Sequence, residues 1–214
     1  MFGIQDLPLF IASGLLLNMA PGPDSLLIMA RSGGQGWRAG SAAALGIGAG
    51  TFVHVFAAAL GLSALLATSA TAFMLVKLVG AAYLVFIGLG LLLRRADATG
   101  TSASAAAKPP PLPLRTVFRQ GFLTNVLNPK VAVFFLAFVP QFITTDAPNK
   151  ALAFIVLGTV FNFYSMLWAH GLVAATAAAS RRLRVSPSVL RWLNRAVGAV
   201  FVSFGVRLAL AEAR

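Results

Sequence analysis

The stretch Asn-Met-Ala-Pro-Gly-Pro-Asp, residues 18–24, interrupts an apolar run that is otherwise long enough to cross a membrane. Pro21 and Pro23 remove two backbone N–H donors, and Gly22 between them tolerates non-helical backbone. Asp24 adds an ionisable side chain near the middle of the run, where a charge is costly. We therefore expect a membrane helix that is broken near its midplane.

A second stretch, Asn-Val-Leu-Asn-Pro-Lys at residues 125–130, interrupts a later apolar run in the same way. Pro129 breaks the helical hydrogen bonding, and Lys130 carries a charge opposite to that of Asp24. Each charge would cost about 2.5 to 3.5 kcal/mol at the centre of a membrane helix, so each needs a partner or water. The two stretches predict a pair of broken helices.

The composition is that of an integral membrane protein. Of the 214 residues, 58% are hydrophobic and only 10% are charged, whereas a soluble domain has about 25% charged residues. The net charge of +12 arises mainly from basic residues beside apolar runs, which is a topology signal rather than the pattern of a nucleic-acid binder. With no cysteine, two histidines and five acidic residues, we expect neither a metal site nor a cofactor.

Six apolar runs reach the roughly 20 residues that a helix needs to cross the hydrocarbon core. They cover approximately residues 7–30, 41–66, 73–93, 117–143, 151–174 and 189–210. Backbone groups must be satisfied within lipid, so we expect an all-α membrane fold. The first, third and fifth connections are rich in arginine, which predicts that these loops are cytoplasmic and that both termini are outside.

The chain divides into two similar halves. Residues 96–116, rich in Ala, Ser, Thr and Pro, predict a flexible cytoplasmic linker between residues 1–95 and 117–214. Residues 14–21 align with 121–128, which Pro129 follows, and residues 77–83 align with 195–201. Three helices per half give the halves opposite orientations. This is the inverted-repeat plan of secondary transporters, in which broken helices form the site near the midplane.

The two breaks supply the predicted substrate site. Unwound backbone offers carbonyl oxygens to an ammonium group, and the N-terminus of a half-helix offers N–H groups to a carboxylate. Both groups are common to every amino acid. The predicted substrate-binding residues are Asn18, Pro21, Gly22, Pro23, Asp24, Asn125, Asn128, Pro129 and Lys130.

Two interpretations of Asp24 and Lys130 are open. In one, they form an ion pair that locks helices 1 and 4. In the other, Lys130 binds a substrate carboxylate, and Asp24 takes the amino group or a coupling proton. Both can hold in different conformations, since a pair that opens on binding would couple substrate to conformational change.

Other polar residues within the apolar runs have two interpretations each. The asparagines of the breaks can cap exposed backbone or bind substrate. His54 is a candidate for proton coupling beside Asp24, or an interhelical hydrogen-bonding group. Asn162 and Tyr164, with His170, are candidates for lining the cavity.

The chain resembles the LysE/RhtB family of bacterial amino-acid exporters over nearly its whole length. The resemblance rests on Pro21-Gly22-Pro23, on residues 61–66 and 77–84, and on Asn128-Pro129-Lys130. It implies a six-helix exporter of the inner membrane, driven by the proton gradient, with substrates such as threonine, homoserine, leucine, lysine or arginine.

Charge narrows the expected substrate. Asp24 is the only acidic residue within the predicted spans, and a basic side chain would need a second carboxylate, so we expect small neutral amino acids such as threonine, homoserine or leucine. The alternative is a cation efflux protein or channel of the same superfamily, against which the shortage of acidic, Cys and His ligands stands. The chain has no acid/base constellation of an enzyme. Its glycine-rich helices are compatible with a homodimer.

Overall fold

The computed structural model of the chain describes residues 2–20, 22–62, 70–93 and 111–178, with single positions between 192 and 210. Several predictions therefore fall wholly or partly outside the described residues. They concern Pro21, the end of the second apolar run at residues 63–66, residues 96–110 of the expected linker, the aligned residues 195–201, and the bounds of the sixth helix. The described residues are almost entirely helical, as expected from the apolar runs.

Seven α-helices organise the described ranges, and both predicted breaks are present. The helices are α1 (Leu7–Met19), α2 (Pro23–Gln35), α3 (Trp37–Ala57), α4 (Ala70–Leu93), α5 (Leu114–Val126), α6 (Pro129–Val133) and α7 (Lys150–Ala178). Wider and tighter helical turns extend α3 through Ala58–Leu62, and extend α6 through Phe134–Phe138 and Val139–Phe142. Thus α1 and α2 are the halves of one broken helix, and α5 and α6 are the halves of another.

Several helices begin or end away from the predicted bounds. The first broken helix continues to Gln35, and α3 begins at Trp37, so Gly36 alone joins them. Gly36 has a φ of 84°, a backbone conformation that glycine adopts without strain. Helix α5 begins at Leu114, inside the range expected for the linker, because Pro113 precedes it in extended conformation and proline is tolerated at a helix start.

Two helices are long and apolar enough to cross a membrane by themselves. They are Trp37–Gly61 and Lys150–Ala178. A third candidate is the pair α5 and α6, whose axes bend by 48° at the break. Large apolar side chains on the helix exteriors, such as Leu60, Phe86, Leu127 and Phe163, are exposed, as lipid-facing residues are. The count of six spans stays a prediction.

An aromatic cluster fills the space between α1 and the extension of α6. The ring of Phe10 lies 5.3 Å from that of Phe142 and 6.0 Å from that of Phe134. At the same end, Gln5 N–H donates to Phe142 O at 3.0 Å, and Thr144 N–H donates to Gly3 O at 2.8 Å. The N-terminal residues thus close this end of the helices against the turn after α6.

Helices α3 and α5 cross at backbone contact. A Cβ atom on Gly50 would lie 2.8 Å from Phe122 O, closer than side-chain atoms tolerate. Gly46 meets Phe118 O, and Gly121 meets Ala43 O, in the same manner. Small residues at a membrane helix crossing permit such close packing. The crossing holds the C-terminal end of α5, where the second break begins, against α3.

Candidate functional site

At the first break, two backbone carbonyl groups at the C-terminal end of α1 accept hydrogen bonds from a side chain of the other half of the chain. An unbroken helix would pair Leu17 O with the N–H of residue 21, but Pro21 has none. Lys130 Nζ donates instead to Leu17 O and to Ala20 O, each at 3.1 Å. A cation at this position also complements the negative end of the helix dipole. The lysine therefore replaces the donor that the proline removes.

Gly22 allows this approach of the lysine. Its backbone is extended, with φ −146° and ψ −177°, and it precedes the first residue of α2. A Cβ atom at Gly22 would lie 3.1 Å from Lys130 Nζ, a contact tighter than most. Pro23 occupies the first turn of α2, where its missing N–H costs no hydrogen bond.

The hydrogen bonds of the second break are made by residues next to it in the sequence. Leu127 N–H donates to Leu123 O at 3.0 Å, and Asn128 N–H donates to Asn125 O at 2.9 Å. Asn128 Oδ1 then accepts from Lys130 N–H at 3.0 Å, which is the standard N-cap interaction. With Pro129 at the start of α6, the turn and cap come from the break itself.

Asp24 lies against the second break. Its Oδ2 accepts hydrogen bonds from Asn125 Nδ2 at 2.9 Å and from Asn128 Nδ2 at 3.1 Å. Its Oδ1 is buried without a hydrogen-bond partner among the described residues. Asp24 and Lys130 thus form hydrogen bonds with different partners. Asp24, in the first break, accepts from side chains of the second break. Lys130, in the second break, donates to backbone carbonyls of the first.

Asn125 links this carboxylate to α3. Asn125 is 2% exposed, and its Oδ1 accepts from Thr51 Oγ1 at 3.4 Å. His54 Nε2 lies 3.0 Å from Asn125 O, and the imidazole stacks on Phe135 with ring centroids 6.4 Å apart. His54 thus makes an interhelical hydrogen bond to Asn125, whose side chain donates to Asp24; its role in proton coupling stays a prediction.

The two halves of the chain make matching contacts at these asparagines. Asn18 and Asn125 occupy equivalent positions in the aligned sequences. Asn18 Nδ2 donates to Ser165 Oγ on α7 at 2.7 Å. The direction is reversed at Asn125, where the Thr51 hydroxyl on α3 shares its hydrogen between Ile47 O at 3.1 Å and Asn125 Oδ1 at 3.4 Å. Each asparagine thus bonds a hydroxyl group on a helix of the opposite half.

A cavity of about 40 Å³ lies between the two breaks. That volume holds a few water molecules. Its lining residues are Leu17, Asn18, Asp24, Ser25, Ile28, Ile47, Thr51, Asn125, Lys130, Val131, Phe161, Ser165, Met166, Trp168, Ala169 and Leu172. Polar side chains of both breaks face one part of the cavity, and apolar side chains of α2, α3 and α7 form the rest.

Four of the predicted site residues line this cavity: Asn18, Asp24, Asn125 and Lys130. Asn128 is buried beside them through its bond to Asp24. Thr51 and Ser165 also line the cavity, although no sequence pattern marks them as site residues. A hydroxyl residue in an apolar helix can hydrogen-bond to its own backbone, so its presence does not indicate a site.

The structure differs from the expectation for Asn162, Tyr164 and His170. These residues are not among those that line the cavity. Tyr164 packs on Phe161 and against Gly14, and His170 Nδ1 lies 2.9 Å from Met166 O of its own helix. The residues of α7 that line the cavity are Phe161, Ser165, Met166, Trp168, Ala169 and Leu172.

Comparisons with known proteins identify the family of the chain. The family model of the LysE type translocator matches residues 15–212. A leucine efflux protein of Enterobacter sp. (strain 638) is 29% identical over 208 residues, which is 97% of each chain. An uncharacterised membrane protein of Pseudomonas aeruginosa is 32% identical over 209 residues, covering 98% of this chain and 97% of the relative. A leucine efflux protein of Salmonella typhimurium is 27% identical over 208 residues, 97% of this chain and 96% of the relative.

No solved structure matches the chain. The family model nevertheless covers both breaks and most of both halves. Together with the apolar helices, it makes the protein an integral membrane translocator and not an enzyme. The chain belongs to the LysE type translocator family, as the resemblance of its two proline motifs indicated.

Proposed function

We propose that the protein exports small neutral amino acids, with leucine and similar aliphatic amino acids as the foremost candidates, across the bacterial inner membrane. The observation that carries the proposal is the cavity between the breaks. There Lys130 and Asp24 line the same small volume as aliphatic side chains, and two backbone carbonyls, Leu17 O and Ala20 O, hold the Lys130 ammonium group. Such groups complement both charged ends of an amino acid and its apolar side chain.

The lining favours an aliphatic side chain over a basic one. Ile28, Ile47, Met166 and Leu172 form the apolar part, and Asp24 is the only acidic residue that lines the cavity. The guanidinium of an arginine substrate would lie beside these apolar groups without a second carboxylate, at a high desolvation cost. Two of the relatives carry the name leucine efflux protein, which supports the same substrate class.

Alternating access is the transport mechanism that we propose. The cavity extends from the breaks along α2 and α7, with Ile28 and Leu172 among its farther lining residues. The opposite end is closed by the aromatic cluster and by the pairing of Gln5 with Phe142. In the expected topology this closed end faces outside, so a substrate entering from the cytoplasm would leave after the aromatic cluster separates. The two inverted halves would exchange roles in that step.

Proton antiport is the proposed energy source, with Asp24 as the proton-binding group. Its carboxylate is the one acidic group in the cavity, and two asparagine amides hold one of its oxygens. A proton on the other oxygen would cancel the charge of Asp24. Its interaction with a bound ammonium group would weaken, and substrate release would follow.

Transport assays in inside-out membrane vesicles that contain the protein test these proposals. We expect a pH gradient to drive accumulation of radiolabelled leucine, an uncoupler to abolish it, and arginine to compete at least about tenfold more weakly. Asp24→Asn keeps the oxygen that accepts from the asparagines but cannot exchange a proton, so gradient-driven accumulation should be lost.

Asp146→Asn is the matched control, since Asp146 is exposed in the turn before α7. Accumulation by Asp24→Asn that still depends on the pH gradient would overturn the assignment of the proton site. A preference for arginine, or transport of a metal cation without amino-acid transport, would overturn the proposed substrate class.

A further inference from the structure

The Lys130 side chain crosses from its own break to the other. Its backbone N–H is fixed by Asn128 Oδ1 at the start of α6, whereas its Nζ lies 3.1 Å from both Leu17 O and Ala20 O at the end of α1. The ammonium group is therefore held by two backbone carbonyls, while the nearby carboxylate of Asp24 accepts from asparagines.

Two carbonyl oxygens at a helix C-terminus recognise a primary ammonium group by charge and hydrogen bonding, whatever chain bears it. The α-ammonium of an amino acid has the same –NH₃⁺ group as the end of the Lys130 side chain. Leu17 and Lys130 both line the cavity, and Lys130 Nζ lies 3.1 Å from Ala20 O as well as from Leu17 O. A substrate ammonium group that took the place of Nζ would therefore meet the same pair of oxygens.

We infer that the carbonyl pair of Leu17 and Ala20 is the subsite for the substrate ammonium group, and that Lys130 fills it as a tethered competitor before substrate binds. This inference rests on the proposed function, because it takes the substrate to be an amino acid. Binding exchanges one ammonium for another at the same oxygens, so the first break keeps its hydrogen bonds throughout. The displaced Lys130 then pairs with the substrate carboxylate.

The exchange makes recognition depend on both ends of the substrate. An amine without a carboxylate would displace Lys130 but leave its charge with only the Asp24 carboxylate, one oxygen of which two asparagines already hold, so the lysine gains no carboxylate of its own in a buried site. A carboxylate without an amine could not displace it from the carbonyls. Only a molecule that carries both groups completes the exchange. A tethered group competes at an effective concentration in the millimolar range, so it lowers the apparent affinity of any free amine.

Binding measurements on the full chain in lipid nanodiscs test the inference with three probes. They are leucine, 3-methylbutylamine, which is leucine without its carboxylate, and 4-methylpentanoate, which is leucine without its amino group. The variants are Lys130→Met, which removes the ammonium, and Lys130→Gln, which leaves a shorter uncharged donor. Lys150→Met is the control, since Lys150 begins α7 outside the cavity.

For the unmodified protein we expect leucine to bind at least about tenfold more tightly than either half-molecule. In Lys130→Met the tethered competitor is absent, so 3-methylbutylamine should bind at least about tenfold more tightly than to the unmodified protein. Leucine and 4-methylpentanoate should bind more weakly, because their carboxylate loses its partner. For each probe, the affinity of Lys130→Gln should fall between those of the unmodified protein and of Lys130→Met. The affinities of Lys150→Met should match those of the unmodified protein.

A poorly folded Lys130→Met still tests the inference, because 3-methylbutylamine should raise its Tm while 4-methylpentanoate does not. The inference is overturned if the amine binds and stabilises Lys130→Met no better than the unmodified protein, which would make Lys130 a fixed helix cap. If the amine gain appears but leucine and other neutral amino acids do not bind the unmodified protein, the ammonium subsite stands and the proposed substrate class fails.

Discussion

The break between α1 and α2 and the break between α5 and α6 differ in the source of their hydrogen bonds. In the second break, Asn128 caps α6 and the backbone of residues 125–128 closes its own turn. In the first break, the carbonyls of Leu17 and Ala20 depend on Lys130 from the other half of the chain. The second break is thus formed by local sequence, whereas the first is complete only while the two halves are in contact.

This difference predicts that loss of the lysine is the most damaging single change. Lys130→Ala leaves two carbonyls without their donor, at a cost of about 1 to 3 kcal/mol for each buried group, and removes the proposed carboxylate partner. We expect leucine export to be abolished while the protein still inserts into the membrane. Export assays and a melting curve in detergent measure the two effects. Lys150→Ala should leave both unchanged, and export by Lys130→Ala at the normal rate would contradict the dependence of the first break on Lys130.

Replacement of Asn125 should rank second. Asn125→Leu removes the amide that donates to Asp24 and the oxygen that accepts from Thr51, so buried polar groups on both α2 and α3 lose a partner. The expected loss of stability is about 2 to 4 kcal/mol, with leucine export reduced at least about tenfold. Thermal unfolding measures the loss of stability, and initial efflux rates measure the loss of export. Asn149→Leu is the comparison: it removes only the exposed N-cap of α7, where Asn149 Oδ1 accepts from Leu152 N–H at 2.9 Å, and should cost about 1 kcal/mol with export unchanged. Equal effects of the two changes would contradict the network.

Removal of the local cap should have a smaller effect. Asn128→Ala costs about 1 kcal/mol through the lost N-cap and removes one of the two amide donors to Asp24. Asn128→Asp keeps the capping oxygen but puts a second carboxylate beside Asp24. We therefore expect Asn128→Asp to retain more of the helix capping yet impair export more than Asn128→Ala. The reverse order in efflux assays would show that capping is the only role of Asn128.

The matching hydroxyl contacts should give the smallest effects. Ser165→Ala removes the acceptor of Asn18, and Thr51→Val removes the donor to Asn125; each should cost about 0.5 to 1.5 kcal/mol. If the two halves exchange roles during transport, the two changes should slow export by similar factors. A large effect of one with none of the other would indicate that the contacts, although similar in sequence position, are not equivalent in function.

The breaks were predictable because their cause is local. A proline lacks its N–H in any environment, so Pro21, Pro23 and Pro129 mark the ends of helices without knowledge of the fold. The partner of Lys130 was not predictable. A long side chain reaches across the helix interface, and sequence alone left an ion pair with Asp24 as an open alternative.

The face of α7 that lines the cavity was also not predictable. In a soluble protein the polar side of a helix indicates its orientation, but a helix that is apolar on every side has no such pattern. Phe161, Ser165, Ala169 and Leu172 line the cavity, while Asn162 and Tyr164 are not among its lining residues. Polarity drew attention to Asn162 and Tyr164, and only the packing of α7 on α1 and α3 decides which residues face the cavity.

The single-residue connection at Gly36 limits how the cavity can open. Because α2 and α3 are joined by this one glycine, their adjacent ends cannot separate and must move together. We therefore expect this end of the cavity wall to open along its border with α7 rather than between α2 and α3. Distance measurements between probes near Gln35 and Trp37 should stay constant through the transport cycle, while distances from either residue to α7 change.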